Sequence, residues 1–119
     1  MYSLAEKSLV LGSEVLDALK ACKQMLCERF EKLNLQIVLF GSQARGQADA
    51  FSDVDLLIIA DNDLTASEKR AIHDLLYEIS LEYDVVISSI ITTRRQWESP
   101  VTQLLGLYRN IAEEGIRVA

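Results

Sequence analysis

Two aspartates, Asp53 and Asp55, stand at the head of an apolar run, Leu56-Leu57-Ile58-Ile59-Ala60. On a strand that spacing puts both carboxylates on one face, a few ångströms apart. Like charges held together are costly unless a cation lies between them. Mg²⁺ suits such a pair, because it takes one or two protein carboxylates and keeps its other positions for water and phosphate oxygens. Upstream, a second apolar run, Leu35-Gln36-Ile37-Val38-Leu39-Phe40, ends in the small-residue turn Gly41-Ser42-Gln43-Ala44-Arg45-Gly46. Gly41 lets backbone approach a ligand closely, and Ser42 offers a hydroxyl to phosphate. The N–H groups of Ser42, Gln43 and Ala44 would face an anion if a helical turn starts there. Arg45 would either pair with a phosphate or fasten the turn to an acidic neighbour. Residues 41 to 55 are therefore expected to bind Mg²⁺ and a nucleotide triphosphate. A third carboxylate nearby could hold a second ion or take the proton of an attacking hydroxyl, the pattern of two-metal phosphoryl transfer.

The elements that must position these residues follow from periodicity. The chain has 119 residues, enough for one domain with one core. After Ser13 as N-cap, Val15, Leu19, Cys22, Leu26, Phe30 and Leu33 form one apolar stripe. That predicts a helix over about 13–33, stopped at Asn34. Strands are expected at about 35–40, 53–60 and 83–91. Thr65-Ala-Ser-Glu68 has the pattern of a capping box opening a helix over about 65–81. Ser99-Pro100 opens another over about 100–114. Its apolar face would be Val101, Leu104, Leu105, Tyr108, Ile111 and Ala112, with Gly115 as terminator. The expected fold is α/β (α+β): a single small domain, residues 1–119, ordered α-β-β-α-β-α around a short mixed sheet. A compact turn should make the first two strands antiparallel. A helix between the second and third should make them parallel through a right-handed crossover. The end of the first strand and the starts of the other two then share one edge. Gly41, Asp53, Asp55 and Asp84, which opens the third strand, converge there.

Composition narrows the function classes. Half the residues are hydrophobic and a quarter charged, as in soluble globular domains. A net charge of -6 argues against a grip on a nucleic-acid backbone, which needs Lys and Arg. Cys22 and Cys27 fall on different faces of one helix, so no disulfide and a reducing, cytoplasmic location are expected. No leader is visible, and no apolar run approaches the ~20 residues of a membrane span. His73 is expected at the surface. Arg94 and Arg95 are expected in a solvated loop, with a triphosphate contact as the other reading. Trp97, in a polar segment, is a candidate partner anchor. Tyr2, Tyr77, Tyr83 and Tyr108 read as amphipathic packing residues before self-modification acceptors.

Gly41 to Gly46, followed by Ser52-Asp53-Val54-Asp55-Leu56, resembles the glycine-serine and Asp-x-Asp signature of the DNA polymerase beta-like nucleotidyltransferases. The fit is to their smallest branch, the minimal nucleotidyltransferases. Asp84 matches that family's third carboxylate, and Glu113-Glu114-Gly115-Ile116 is similar to the branch's ending. The motifs cover about residues 35–87. The resemblance implies transfer of a nucleoside monophosphate from a Mg-bound triphosphate, ATP in this branch, to a hydroxyl. Gly41 and Ser42, with Arg45, would bind the triphosphate. Asp53 and Asp55 would hold the metals, and Asp84 would be ligand and base-like group. Minimal members typically accompany a HEPN-domain ribonuclease toxin and act as antitoxins that attach AMP to one of its tyrosines. The implied partner is such a toxin, and the lack of an added substrate-holding domain fits a substrate that is itself a folded protein. Two alternatives stand beside this: an antitoxin that neutralises by stoichiometric binding, and transfer to a small-molecule hydroxyl.

Overall fold

The structure, a computed structural model, describes residues 1–48 and 53–119; Ser52 of the motif lies outside them. In chain order its elements begin with β1 (Tyr2–Ser3), α1 (Leu4–Lys7), α2 (Ser13–Arg29) and a 3-10 turn (Glu31–Leu33). There follow β2 (Gln36–Phe40), α3 (Gly41–Ala44), β3 (Val54–Ala60), α4 (Ala66–Tyr83) and β4 (Ile87–Thr93). The chain closes with α5 (Arg94–Trp97), α6 (Pro100–Gln103), α7 (Gly106–Glu114) and β5 (Ile116–Arg117). The strands form one mixed sheet in the order β1-β5-β2-β3-β4. β2 and β3 are antiparallel and β3 and β4 parallel, as expected, so the small α+β domain stands.

Apart from Gln36 and Asp55, the strands β2 and β3 are apolar because both their faces are covered. On one face α2 and α4 pack Leu19, Cys22, Leu26, Ile72, Leu75 and Ile79 against Ile37, Leu39, Leu56 and Ile58. On the other a smaller cluster of Val38, Leu57, Ile59 and Ile111 is backed by Phe40 and Trp97. Each such side chain, fully buried, contributes about 1.5–3 kcal/mol. The capping box at Thr65 forms in both directions: Thr65 Oγ1 accepts from the Glu68 N–H at 3.0 Å, and Glu68 Oε1 from the Thr65 N–H at 2.8 Å. Ser99 caps α6 with Pro100 in its first turn. Among the described residues no helix is long and apolar enough to cross a membrane.

Several boundaries differ from the expected ones. The first helix ends at Arg29 and only a 3-10 turn continues to Leu33, but Asn34 does take the left-handed conformation (φ 48°). Gly12, not Ser13, is its N-cap. The second helix runs on to Tyr83, so the third strand starts at Ile87 rather than 83. β-branched residues from 85 onward mark the strand well but do not say where the helix lets go. The expected helix over 100–114 is two helices broken at Leu104-Leu105. Of its predicted apolar face only Ile111 is buried, while Val101 (74%), Leu104 (86%) and Leu105 (53%) are exposed. Gly115 is extended (φ -64°) and leads into β5 instead of ending a helix left-handed. β1, α1 and β5 were not expected. Two-residue strands carry no periodicity and exist because Tyr2 pairs with Ile116, from the other end of the chain.

Candidate active site

β2 delivers the turn. It ends at Phe40, and Gly41 (φ 77°) starts the single helical turn α3, so the helical turn on which the expected anion contact depends is present. Among the described residues no side chain caps that turn at Phe40. The Arg45 N–H donates to the Gly41 carbonyl at 3.2 Å and the Gln47 N–H to the Ser42 carbonyl at 3.0 Å, which closes the loop. Ser42 is half-buried at its opening.

β3 delivers the carboxylates. Asp55 pairs with Phe40 across the antiparallel ladder, one residue from the turn. A Cβ on Gly41 would run into Asp55 Oδ2 and lie 3.2 Å from Cγ. The positive φ already favours glycine, and the carboxylate removes room for anything else. Asp53 is exposed, immediately before the strand. Burial pushes the Asp55 carboxyl above its ordinary value, the charge of Asp53 adds to this, and Arg45 opposes it. The two aspartates and Arg45 are thus electrostatically one group. A carboxylate pair that repels, beside a tight helical turn, suits a hard divalent cation.

Arg45 has structural partners: Nη1 lies 3.8 Å from Glu114 Oε2 on α7, and Nε donates to Gln47 at 3.3 Å, with the guanidinium still exposed beside the turn. Asp84 does not open the strand. It is the left-handed C-cap of α4 (φ 53°) and exposed. Among the described residues no three His, Cys, Asp or Glu side chains gather as one metal-binding group, so Asp84 is not drawn into a trio with Asp53 and Asp55. It lies at the same end of the sheet nonetheless, since the Val54 N–H bonds the Val86 carbonyl at 2.8 Å.

Arg94 and Arg95 follow the far end of β4, a seven-residue strand, or roughly 20 Å from the carboxylates at ~3.3 Å per residue. Arg94 pairs with Asp61 at 2.8 Å and Arg95 with Asp63 at 3.2 Å. Asp61 is held below its ordinary carboxyl value by its bonds to Asn34 and Arg94. Trp97 is half-buried against the small cluster, its ring 5.0 Å from that of Tyr108, so it serves packing. His73 is exposed and meets Ser89 Oγ at 3.3 Å. Ser88 is the register partner of Asp55, a position that no motif in the sequence marks. Its only sequence signal was the alternation of positions 86, 88 and 90 on the site face.

The nucleotidyltransferase-domain family model matches residues 19–118. The chain belongs to that family. Three similar proteins come from Methanocaldococcus jannaschii and are named "Putative protein adenylyltransferase". One is 37% identical over 66% of this chain and 79% of its own. A second is 32% identical over 82% of this chain and 91% of its own. A third is 38% identical over 65% of this chain and 51% of its own. Nucleotidyl transfer is thus the activity class in which the family's turn and carboxylate pair are to be understood.

Proposed function

We propose that this protein transfers AMP from Mg-bound ATP to a hydroxyl of another protein, a tyrosine of a cognate HEPN-type toxin being the expected acceptor. The observation that carries the reading is the contact of Gly41 with Asp55: a triphosphate on the turn and a metal on the carboxylates would share one small space. The printed name of the relatives supports AMP and a protein acceptor. The free thiols of Cys22 and Cys27 suit a reducing, cytoplasmic setting. Asp53 and Asp55 would hold Mg²⁺, which when bound supplies charge neutralisation for the phosphates and the leaving group. Gly41 and Ser42 would hold the triphosphate, with Arg45 adding positive charge. The acceptor oxygen forms its bond to the α-phosphorus as the bond to the bridging oxygen breaks, and pyrophosphate leaves with the electron pair. The acceptor's proton passes to a carboxylate, for which Asp84 is proposed. Its place supports this: Asp84 is exposed at the end of the sheet that carries the carboxylates, where an acceptor's proton could reach it.

The test is mass spectrometry of the cognate toxin after incubation with the protein and Mg-ATP. An AMP-sized gain on a tyrosine is expected, lost with Asp53→Asn, Asp55→Asn. Exposed Val101, Leu104 and Leu105 favour one rival, neutralisation by binding alone. A toxin that stays unmodified yet inhibited would establish that rival and sink the catalytic reading.

A further inference from the structure

The two edges of the sheet are treated differently. β1 is two residues long, and a short edge is one of the ways proteins prevent strand addition. β4 is seven residues long, Ile-Ser-Ser-Ile-Ile-Thr-Thr, with no charge and no proline. Its register fixes which backbone groups are free. The Val54 N–H bonds the Val86 carbonyl, and Val54 pairs with Ile87 and Leu56 with Ser89 in a parallel ladder. The N–H and C=O of Ser88, Ile90 and Thr92 therefore point to β3, while those of Ile87, Ser89 and Ile91 point outward. Among the described residues none of these outward groups has a backbone partner outside its own strand pairing.

The same register sets this edge beside the site. Asp55 pairs with Ser88 and Leu57 with Ile90, so these side chains share the face that carries the carboxylates. On it Val86 (63%) and Ile90 (40%) are exposed. β2 and β4 flank β3 on opposite sides, so the turn at Gly41 and the free edge approach the carboxylates from opposite directions. A phosphoryl-type transfer needs its attacking and leaving oxygens in line.

We infer that the acceptor docks as a sixth strand on β4: an extended segment of a partner protein that carries a hydroxyl residue beside Val86 and Ser88 and an apolar residue beside Ile90. Main-chain bonds to Ile87, Ser89 and Ile91 give affinity, and the site-face side chains give specificity. Two strand spacings of ~4.8 Å put the acceptor's backbone about 10 Å from β3, a gap that a tyrosine side chain and a phosphate held at Asp55 would span between them. The net charge of -6 favours basic flanks on the segment. This rests on the transfer reading above and names how its substrate is held.

The probe is a short synthetic peptide, a central tyrosine between alternating valine and lysine, fluorescently labelled. It is used with the full chain, with and without Mg-ATP. Binding by anisotropy and AMP transfer by mass spectrometry are read separately. N-methylation of every second amide in one phase should weaken binding about ten-fold, the loss of one to three backbone bonds, while the other phase should leave it unchanged. Ser89→Pro removes one outward N–H and spares the β3 ladder. It should weaken binding about ten-fold with the far-UV spectrum retained. If that variant does not fold, the two methylated peptides on the wild-type chain decide alone. Equal binding of both phases, wild-type binding by a folded Ser89→Pro, or no binding at all overturns the inference. So does a dimer that Ser89→Pro converts to monomer, since the edge would then belong to a second copy. Phase-dependent binding with no AMP transfer upholds the edge as a strand-docking site and overturns its assignment to the acceptor, while failure of the transfer reading itself is read separately in the toxin experiment above.

Discussion

At the scale of single residues, Asp55 carries opposing demands. Its carboxyl is raised by burial first and by Asp53 second, so ionising it costs the folded chain free energy. The sign follows: that cost is absent at acidic pH and sets in as pH rises through the folded carboxyl's range. Without metal, Asp53→Asn with Asp55→Asn should therefore be more stable at neutral pH than wild type, by less than about 1 kcal/mol given the exposure of the pair. The difference should vanish in melts taken at acidic pH. The same variant should lose nucleotide transfer by about a hundredfold or more, as loss of a preorganised charge site does. A double variant that transfers at the wild-type rate would refute the site. The cysteines make a second, independent check. Burial pushes the Cys22 thiol up to about 12, while the half-buried Cys27 thiol is also raised by burial, with Lys23 opposing the shift. A thiol reagent should label Cys27 alone in the folded protein and both residues in denaturant.

At the scale of elements, the junction between α4 and β4 concentrates the tension. Asp84 ends α4 in a left-handed conformation, and the Val85 N–H closes the cap on the Ser80 carbonyl at 3.1 Å. Glycine does this without the Cβ penalty, and without an acid at the negative end of the helix dipole. Asp84→Gly should thus raise stability by about 0.5–1 kcal/mol in thermal melts while lowering transfer at least tenfold. Unchanged transfer would remove Asp84 from the proposed chemistry and leave it as a cap. Much of this level was legible beforehand: the capping box at Thr65, the Ser99-Pro100 start and the stop at Asn34 are local hydrogen-bond and dihedral rules. The start of β4 was not. Tyr83 and Val85 suit a strand as well as a helix end, and only packing of α4 on the sheet decides.

At the scale of the whole molecule, the chain's two ends meet. β5 lies between β1 and β2, and the N-terminal amine bonds the Ala112 carbonyl at 2.9 Å. Gly115 makes the join possible. A Cβ there would sit 2.5 Å from the Ile111 carbonyl oxygen and 2.9 Å from Val38 Cγ1. Gly115→Ala should cost about 1–3 kcal/mol by overpacking, measured by denaturant unfolding, with its φ of -64° excluding backbone strain as the cause. A loss below a few tenths would mean the ends separate freely. The exposed Val101, Leu104 and Leu105 belong to this scale too. Their spacing reads as a core face, but the sheet is narrow and Ile111 alone reaches it from that helix.

The sequence by itself determined whatever depends on neighbours along the chain. The turn that must contain Gly41, the Asp53–Asp55 spacing, the apolar strands and the caps all follow from dihedral preference and from periods of two and 3.6. It also determined the pairing directions, because connection length constrains them. Tertiary structure alone decided that Gly41 and Asp55 occupy one space, that Arg45 is tied to Glu114, and that Asp84 caps α4 instead of opening β4. It also decided that β4 is the open edge. Each of these rests on contacts between residues distant in the chain, where no local preference operates. Asp53 and Asp55 could be seen in advance as a charge problem. Which backbone lies against them, and from which side a substrate can come, required the sheet.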